Sequence, residues 1–134
     1  MITYKKGLKY QIVGEPYIAK TLISGFEVAI PWIKLERDGT LTLFPGYAWD
    51  GSSGPTWDSS KDKQASAEHD AFYKLIRLGH LPHSLKSDID KRYRDKCIED
   101  GIFPIQANIR YWALRHWGDP STRPSRRQAT YYAP

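Results

Sequence analysis

The sequence predicts an α+β domain: N-terminal antiparallel strands with a hairpin, a long Gly/Ser/Pro loop, then three helices. Three observations predict it. The first 44 residues are rich in Tyr, Ile, Val, Phe and Trp and are punctuated by Gly and Pro, the composition of strands and turns. Residues 45–60 have no period. From Lys61 onward, apolar residues recur at intervals of three and four, as one face of a helix does. Strands followed by helices, rather than alternating with them, is the α+β order.

Tyr4–Val13, Ile18–Ile30 and Trp32–Arg37 read as strands. Asp38-Gly39 sits between Trp32-Ile33-Lys34-Leu35 and Thr40-Leu41-Thr42-Leu43. That dipeptide predicts a hairpin with a type I′ turn, in which both central residues take positive φ. Thr40 to Leu43 alternates polar and apolar, the pattern of a half-buried strand. From Pro45 to Ser60 there are three Gly, two Pro and four Ser. A loop of that length in a small domain is functional or disordered, and Tyr47, Trp49 and Trp57 argue against disorder. The first helix is predicted from about Lys61 to Leu78, stopped by Gly79, with Asp58 and Asp62 as N-cap or first-turn residues. The second starts at Ser84 or Ser87 and ends near Gly101. The third begins at Pro104, which suits a first turn, and runs to Trp117-Gly118. Its Ile105, Ile109, Trp112, Ala113 and His116 make one stripe, predicted to pack inward. Residues 1–118 thus form a single α+β domain. Residues 119–134, with three Pro and three Arg, form a basic tail without period, extended or disordered until a partner orders it.

Composition bounds the function. A chain of 134 residues can bury one core. With 40% apolar and 26% charged residues and a mean hydropathy of −0.59, it reads as globular and soluble. No apolar run approaches the roughly 18 residues of a transmembrane helix. The opening Met1-Ile2-Thr3-Tyr4-Lys5-Lys6 lacks the apolar core of a cleaved secretion signal. A single cysteine, Cys97, excludes an internal disulfide and a multi-cysteine zinc site, and fits a reducing compartment. The net charge of +5 is unevenly spread: residues 1–60 carry six charges of each sign, and residues 61–118 carry eleven basic against eight acidic. That excess permits contact with an anionic surface without demanding it. Nucleic-acid contact through Arg92, Arg94, Arg110 and Arg115 ranks last, because dedicated binders cluster their charge more densely.

Three places could carry chemistry. His69, Asp70 and Tyr73 lie on the first helix, with Tyr73 four residues after His69 and three after Asp70, close enough to meet. Ala65, Phe72 and Ile76 turn the His69 side toward the core. A buried imidazole needs a hydrogen-bond partner. Asp90 is the candidate: it lies beside the apolar stripe Ile89, Tyr93 and Cys97 of the second helix, and the short connection at Gly79–His83 favours antiparallel neighbours. A carboxylate behind a histidine orients it as a general base. The same pair can equally be a structural lock beneath the sheet. The third place is Gly46-Tyr47-Ala48-Trp49-Asp50-Gly51-Ser52-Ser53-Gly54-Pro55. Its glycines let a ligand approach the backbone, and its carbonyls and the Asp50 carboxylate suit a hard cation such as calcium; a plain crossover needs the same residues to turn. Trp49, Ser53 and Trp57 are the candidate substrate contacts. His80 and His83 lack a third ligand and read as a solvated turn, and Cys97 as a small core residue. Ser52 and Ser53 sit in no G-x-S-x-G elbow.

Asp50-Gly51-x-Ser53-x-Pro55, His69-Asp70-x-x-Tyr73, Asp90-x-x-Tyr93 with Gly101 after it, and Tyr111-Trp112-Ala113-Leu114-Arg115 with Gly118 resemble a family of small phage and prophage proteins, the domain of unknown function numbered 1353. The likeness spans roughly Phe44 to Gly118. It implies a viral or prophage origin and a location in the virion or the host cytoplasm. A more distant likeness is to phospholipase A2, including its disulfide-free version in parvovirus capsids, where a Gly-rich loop precedes His-Asp-x-x-Tyr on a helix. That resemblance implies a metal-assisted ester hydrolase. His69 would be the base, Asp90 and Tyr73 would orient it, Asp70 would bind calcium, and Gly51 and Gly54 would lie in the calcium loop. Phospholipid is the substrate class it favours, and a cell-wall or other amide comes next. The competing expectation is a non-enzymatic virion, assembly or host-interaction protein. In it the His-Asp-Tyr cluster is structural, and the tail, with Arg123, Arg126, Arg127, Tyr131 and Tyr132, docks on a phage or host protein.

Overall fold

A computed structural model describes residues 2–6, 10–50 and 60–117. Within them, strands precede helices, and the architecture is α+β. The strands are β1 (Tyr4–Lys6), β2 (Tyr10–Ile12), β3 (Tyr17–Lys20), β4 (Val28–Ile30), β5 (Ile33–Leu35), β6 (Thr40–Leu43) and β7 (Ala48–Trp49). They form two antiparallel sheets, one ordered β1-β2-β7 and the other β3-β6-β5-β4.

The strands are shorter and more numerous than the composition predicts. Tyr4–Val13 is not one strand but a pair, with Tyr4 opposite Ile12 and Lys6 opposite Tyr10. Ile18–Ile30 divides into β3 and β4, which lie at opposite edges of one sheet. Part of the predicted loop is a strand as well: β7 sets Trp49 opposite Tyr10, and both of its residues are buried. The partner is β2, which a run of Gly and Pro around these two residues does not advertise.

The hairpin at Asp38-Gly39 forms with a different turn. Leu35 lies opposite Leu41. The Gly39 N–H donates to the Glu36 carbonyl at 2.9 Å, and the Glu36 N–H donates to the Thr40 carbonyl at 2.9 Å. Gly39 has φ 92°, while Trp32 is the one described non-glycine with positive φ. Asp38 therefore stays out of the left-handed region. This is a type I turn closed by a left-handed glycine, and not type I′. Asp38 Oδ1 accepts the Thr40 N–H at 2.9 Å, which holds the turn by a side chain instead. Glycine is also needed for space, since a Cβ at position 39 would sit 2.3 Å from the Thr21 carbonyl oxygen.

The helices are α1 (Lys63–Arg77), α2 (Lys86–Glu99) and α3 (Pro104–Trp117). A 3-10 turn over Ser60–Asp62 leads into α1, and another over His83–Leu85 leads into α2. Gly79 and Gly101 take φ 85° and 107° just past α1 and α2, and their N–H groups donate to the carbonyls of Ile76 and Ile98. These are the glycine stops that the spacing predicts. Contacts run in opposite chain directions: Gln64 meets Asp100, Glu68 meets Arg92 and His69 meets Asp90. The helices α1 and α2 are therefore antiparallel. The helix α1 is covered on nearly every side. Phe72 and Leu75 join Ile12, Ile33, Leu35, Leu41, Leu43 and Ile89 in the main core. Ala65 joins Tyr93, Cys97, Ile102 and Ala107 in a second, smaller one between the helices.

The third helix corrects an expectation. Its predicted stripe faces outward: Ile105, Ile109 and Trp112 are 76%, 50% and 54% exposed, and His116 is exposed beside them. Of the stripe, Ala113 alone is buried, together with Ala107 and Arg110. The rotation follows from charge. Asp62 is fully buried, and Arg110 Nη1 reaches its Oδ2 at 2.7 Å and the Tyr93 hydroxyl at 3.3 Å. Stranding one member of such a pair costs about 3–5 kcal/mol. Asp62 stands at the N-cap position of α1 but makes no side-chain capping bond; its oxygens go to Arg110 and Lys63. The predicted tail from 119 lies outside the described residues. No helix among the described residues is long and apolar enough to cross a membrane.

Candidate functional site

Asp90 stands where the three helices meet. Helix α1 brings His69 and Tyr73, one turn apart on one side. Helix α2 brings Asp90 itself and Lys86, one turn before it. Helix α3 brings Arg115. His69 Nε2 lies 2.8 Å from Asp90 Oδ1, and the Tyr73 hydroxyl donates to the same oxygen at 2.5 Å. Lys86 Nζ donates to Asp90 Oδ2 at 3.1 Å and Arg115 Nη1 at 3.2 Å. Lys86 also donates to the Leu114 carbonyl at 3.0 Å. The carboxylate, 0% exposed, thus accepts four hydrogen bonds, about as many as its lone pairs allow.

Electrostatics fixes the proton positions. Burial works to raise the Asp90 carboxyl, but hydrogen bonds from His69, Tyr73 and Lys86 outweigh it and hold it below its ordinary value. An ionised carboxylate only accepts, so His69 Nε2 donates to it, and in the neutral ring that puts the lone pair on Nδ1. Burial, and then the Asp90 charge beside it, push the Tyr73 hydroxyl far up, so it stays a donor. The imidazole is wedged between the Tyr73 ring at 4.0 Å and the Tyr93 ring at 5.2 Å, and His69 is 5% exposed.

The sequence-derived residues divide into two groups. His69, Tyr73 and Asp90 come together. Trp49 goes to the core: it is buried, its indole N–H donates to Ser66 Oγ at 2.9 Å, and it stacks on Tyr47 at 5.9 Å. In that position it fastens β7 to α1 and has no face for a substrate. Asp70 is half-buried and Asp50 exposed. Burial pushes the Tyr47 hydroxyl well up, and Asp70 and then Asp50 add to the shift, so both carboxylates lie within electrostatic reach of one hydroxyl. Gly51, Ser53, Gly54 and Trp57 lie outside the described residues.

The calcium-loop residues Gly51 and Gly54 expected from the sequence lie outside the described residues. Among them, no three His, Cys, Asp or Glu side chains come together to hold a metal. Asp70 shares its surroundings with the Arg77 guanidinium, which burial pulls down and the Asp70 charge supports. His80 and His83 are exposed in the connection between α1 and α2. Burial pushes the Cys97 thiol up to about 11, which makes it inert as a nucleophile.

Sequence reading missed the two cations on Asp90. Lys86 carried a signal, the four-residue spacing to Asp90; Arg115 carried none, being 25 residues away. It also missed Glu68. That side chain is buried and takes both Nε and Nη2 of Arg92, at 2.9 and 3.1 Å, and the hydroxyl of Tyr17. No known family, curated protein or solved structure matches the chain.

Proposed function

We propose that the chain is an ester hydrolase of phage or prophage origin, with His69 as general base and Asp90 and Tyr73 as positioning residues. The phage origin rests on the motif resemblance alone. The observation that carries the chemistry is the 2.8 Å contact from His69 Nε2 to Asp90 Oδ1, which leaves the lone pair on Nδ1. A water bonded to Nδ1 gives up a proton as its oxygen attacks the ester carbonyl carbon. The imidazolium then returns that proton to the leaving alcohol oxygen as the carbon–oxygen bond breaks. Asp90 keeps the ring in one tautomer and steadies its transient charge. An ester of a phospholipid is the favoured substrate class, on the distant likeness to phospholipase A2.

The test is hydrolysis of short-chain chromogenic esters and of phospholipid vesicles, with and without chelator. His69→Gln is expected to lower the rate about 10²–10⁴-fold while circular dichroism stays unchanged. A wild-type protein that cleaves neither substrate, with or without added calcium, overturns the reading.

A second reading is favoured by the burial of His69 and the saturation of Asp90: a non-enzymatic virion, assembly or host-interaction protein in which this network locks the three helices. Satisfied buried networks do rigidify small domains. Under it, His69→Gln lowers the melting temperature and the wild type has no hydrolytic activity to lose.

A further inference from the structure

Asp90 is gripped at both oxygens, and the two grips come from different elements. Helix α1 supplies both donors to Oδ1, His69 Nε2 at 2.8 Å and the Tyr73 hydroxyl at 2.5 Å. Oδ2 takes Lys86 Nζ from α2 at 3.1 Å and Arg115 Nη1 from α3 at 3.2 Å. A carboxylate held at one oxygen alone turns about its Cβ–Cγ bond, a torsion with broad wells. Holding the second oxygen fixes the plane, and with it the direction that Oδ1 presents to the imidazole.

The two cations on Oδ2 are unequal. Lys86 is buried, lies on the same helix as Asp90, and shares its ammonium with the Leu114 carbonyl at 3.0 Å. An ammonium is a compact charge with rotating donors, so it neutralises more than it directs. Arg115 comes from another element, and its guanidinium is a rigid plane with N–H bonds in set directions. Its side chain is 37% exposed, and Asp90 keeps three donors without it, so the contact adds little to stability. Yet its place is well fixed. Arg110, about 7.5 Å earlier along the axis of α3, is locked to the buried Asp62, and Leu114, the residue before it, is tied to Lys86. We infer that Arg115 is a positioning residue of the His69–Asp90 pair, through which the third helix sets the direction of the imidazole. Its meaning for catalysis rests on the hydrolase reading; its hold on the pair does not.

The experiment uses the full chain. Proton NMR reads the imidazole N–H that bridges His69 Nε2 and Asp90 Oδ1, with His69→Gln identifying the resonance by its loss. Arg115→Met is expected to shift this resonance and to speed exchange of the proton with water. It should also lower kcat on a soluble short-chain ester about tenfold, with KM unchanged and the melting temperature down by no more than about 5 °C. Arg115→Lys, which restores the charge without the planar fork, should return part of the rate and part of the shift. Lys91→Met, which removes an exposed charge from α2, should alter neither. A resonance that Arg115→Met leaves at its wild-type position and exchange rate overturns the proposal, as does a wild type in which no such proton is protected. A variant that loses rate only in proportion to the protein it unfolds also overturns it, because Arg115 is then a brace for the fold. Two arms separate this proposal from the hydrolase reading. If wild type cleaves no ester while the resonance still answers to Arg115→Met, the hydrolase reading falls and the positioning role stands. If wild type is active and Arg115→Met changes neither resonance nor kcat, the positioning role alone falls.

Discussion

The helices α1 and α3 are nearly equal in length, fifteen and fourteen residues, and they solve opposite problems. The first lies between sheet and helices and is covered on nearly every side, and its buried polar side chains find partners: Glu68 has Arg92 and Tyr17, His69 has Asp90, and Ser66 has Trp49. The third touches the molecule along one side, through Arg110 and the small Ala107 and Ala113. The difference teaches that apolar spacing sets the angle of a stripe on a helix but not its direction. On the third helix the inward direction is taken by Arg110, which meets the buried Asp62 carboxylate, and by the small side chains Ala107 and Ala113.

The contrast can be broken most forcefully at the carboxylate shared by all three helices. Asp90→Ala should cost about 3–5 kcal/mol in urea unfolding, because Lys86 is left buried without its anion. A loss below about 1 kcal/mol would mean that the three helices do not converge there. Phe72→Ala, on the covered helix, should cost about 3–5 kcal/mol through the cavity it leaves. A surface-like value would place α1 outside the core.

Acid sharpens the same comparison. The Asp90 carboxyl sits below its ordinary value in the folded state. Its stabilisation is therefore complete above the unfolded value of about 3.9, and it is lost as pH falls through the lower folded value. Wild type should lose stability in that window by more than Asp90→Asn does, as read from unfolding free energies at pH 5 and pH 2.5. Equal slopes would show that Asp90 titrates normally. The smallest effect belongs to the outward stripe: Ile105→Ser should change stability by less than about 0.5 kcal/mol. A large loss there would mean that α3 is turned the other way.

Much of this arrangement is legible in the chain. Gly79 and Gly101 end helices because a left-handed residue is needed there, and Asp38-Gly39 closes a hairpin. The four-residue step from His69 to Tyr73, with Asp90 beside a stripe on the next helix, brings those three side chains together. Other features are not written locally. Gly7 was the available hint that Tyr4–Val13 folds back on itself, but two three-residue strands are too short for alternation to show. Ala48-Trp49 becomes a strand only because Tyr10 is opposite. The positions of Arg110 and Arg115 depend on residues 48 and 25 places away, and no window along the sequence contains both ends of such a pair.

The Glu68 carboxylate ties a tyrosine of β3 to an arginine of α2, and this has a consequence for biogenesis. During synthesis the strands leave the ribosome first, with Leu41 and Leu43 already made and nothing yet to cover them. Neither half is a finished fragment: cut between residues 50 and 60, the first piece would expose the apolar face of its sheet, and the second would keep Glu68 with Arg92 but lose the Tyr17 hydroxyl. The inner face of the sheet is covered only when the first helix is in place, with Phe72 and Leu75 in one core with Leu41 and Leu43.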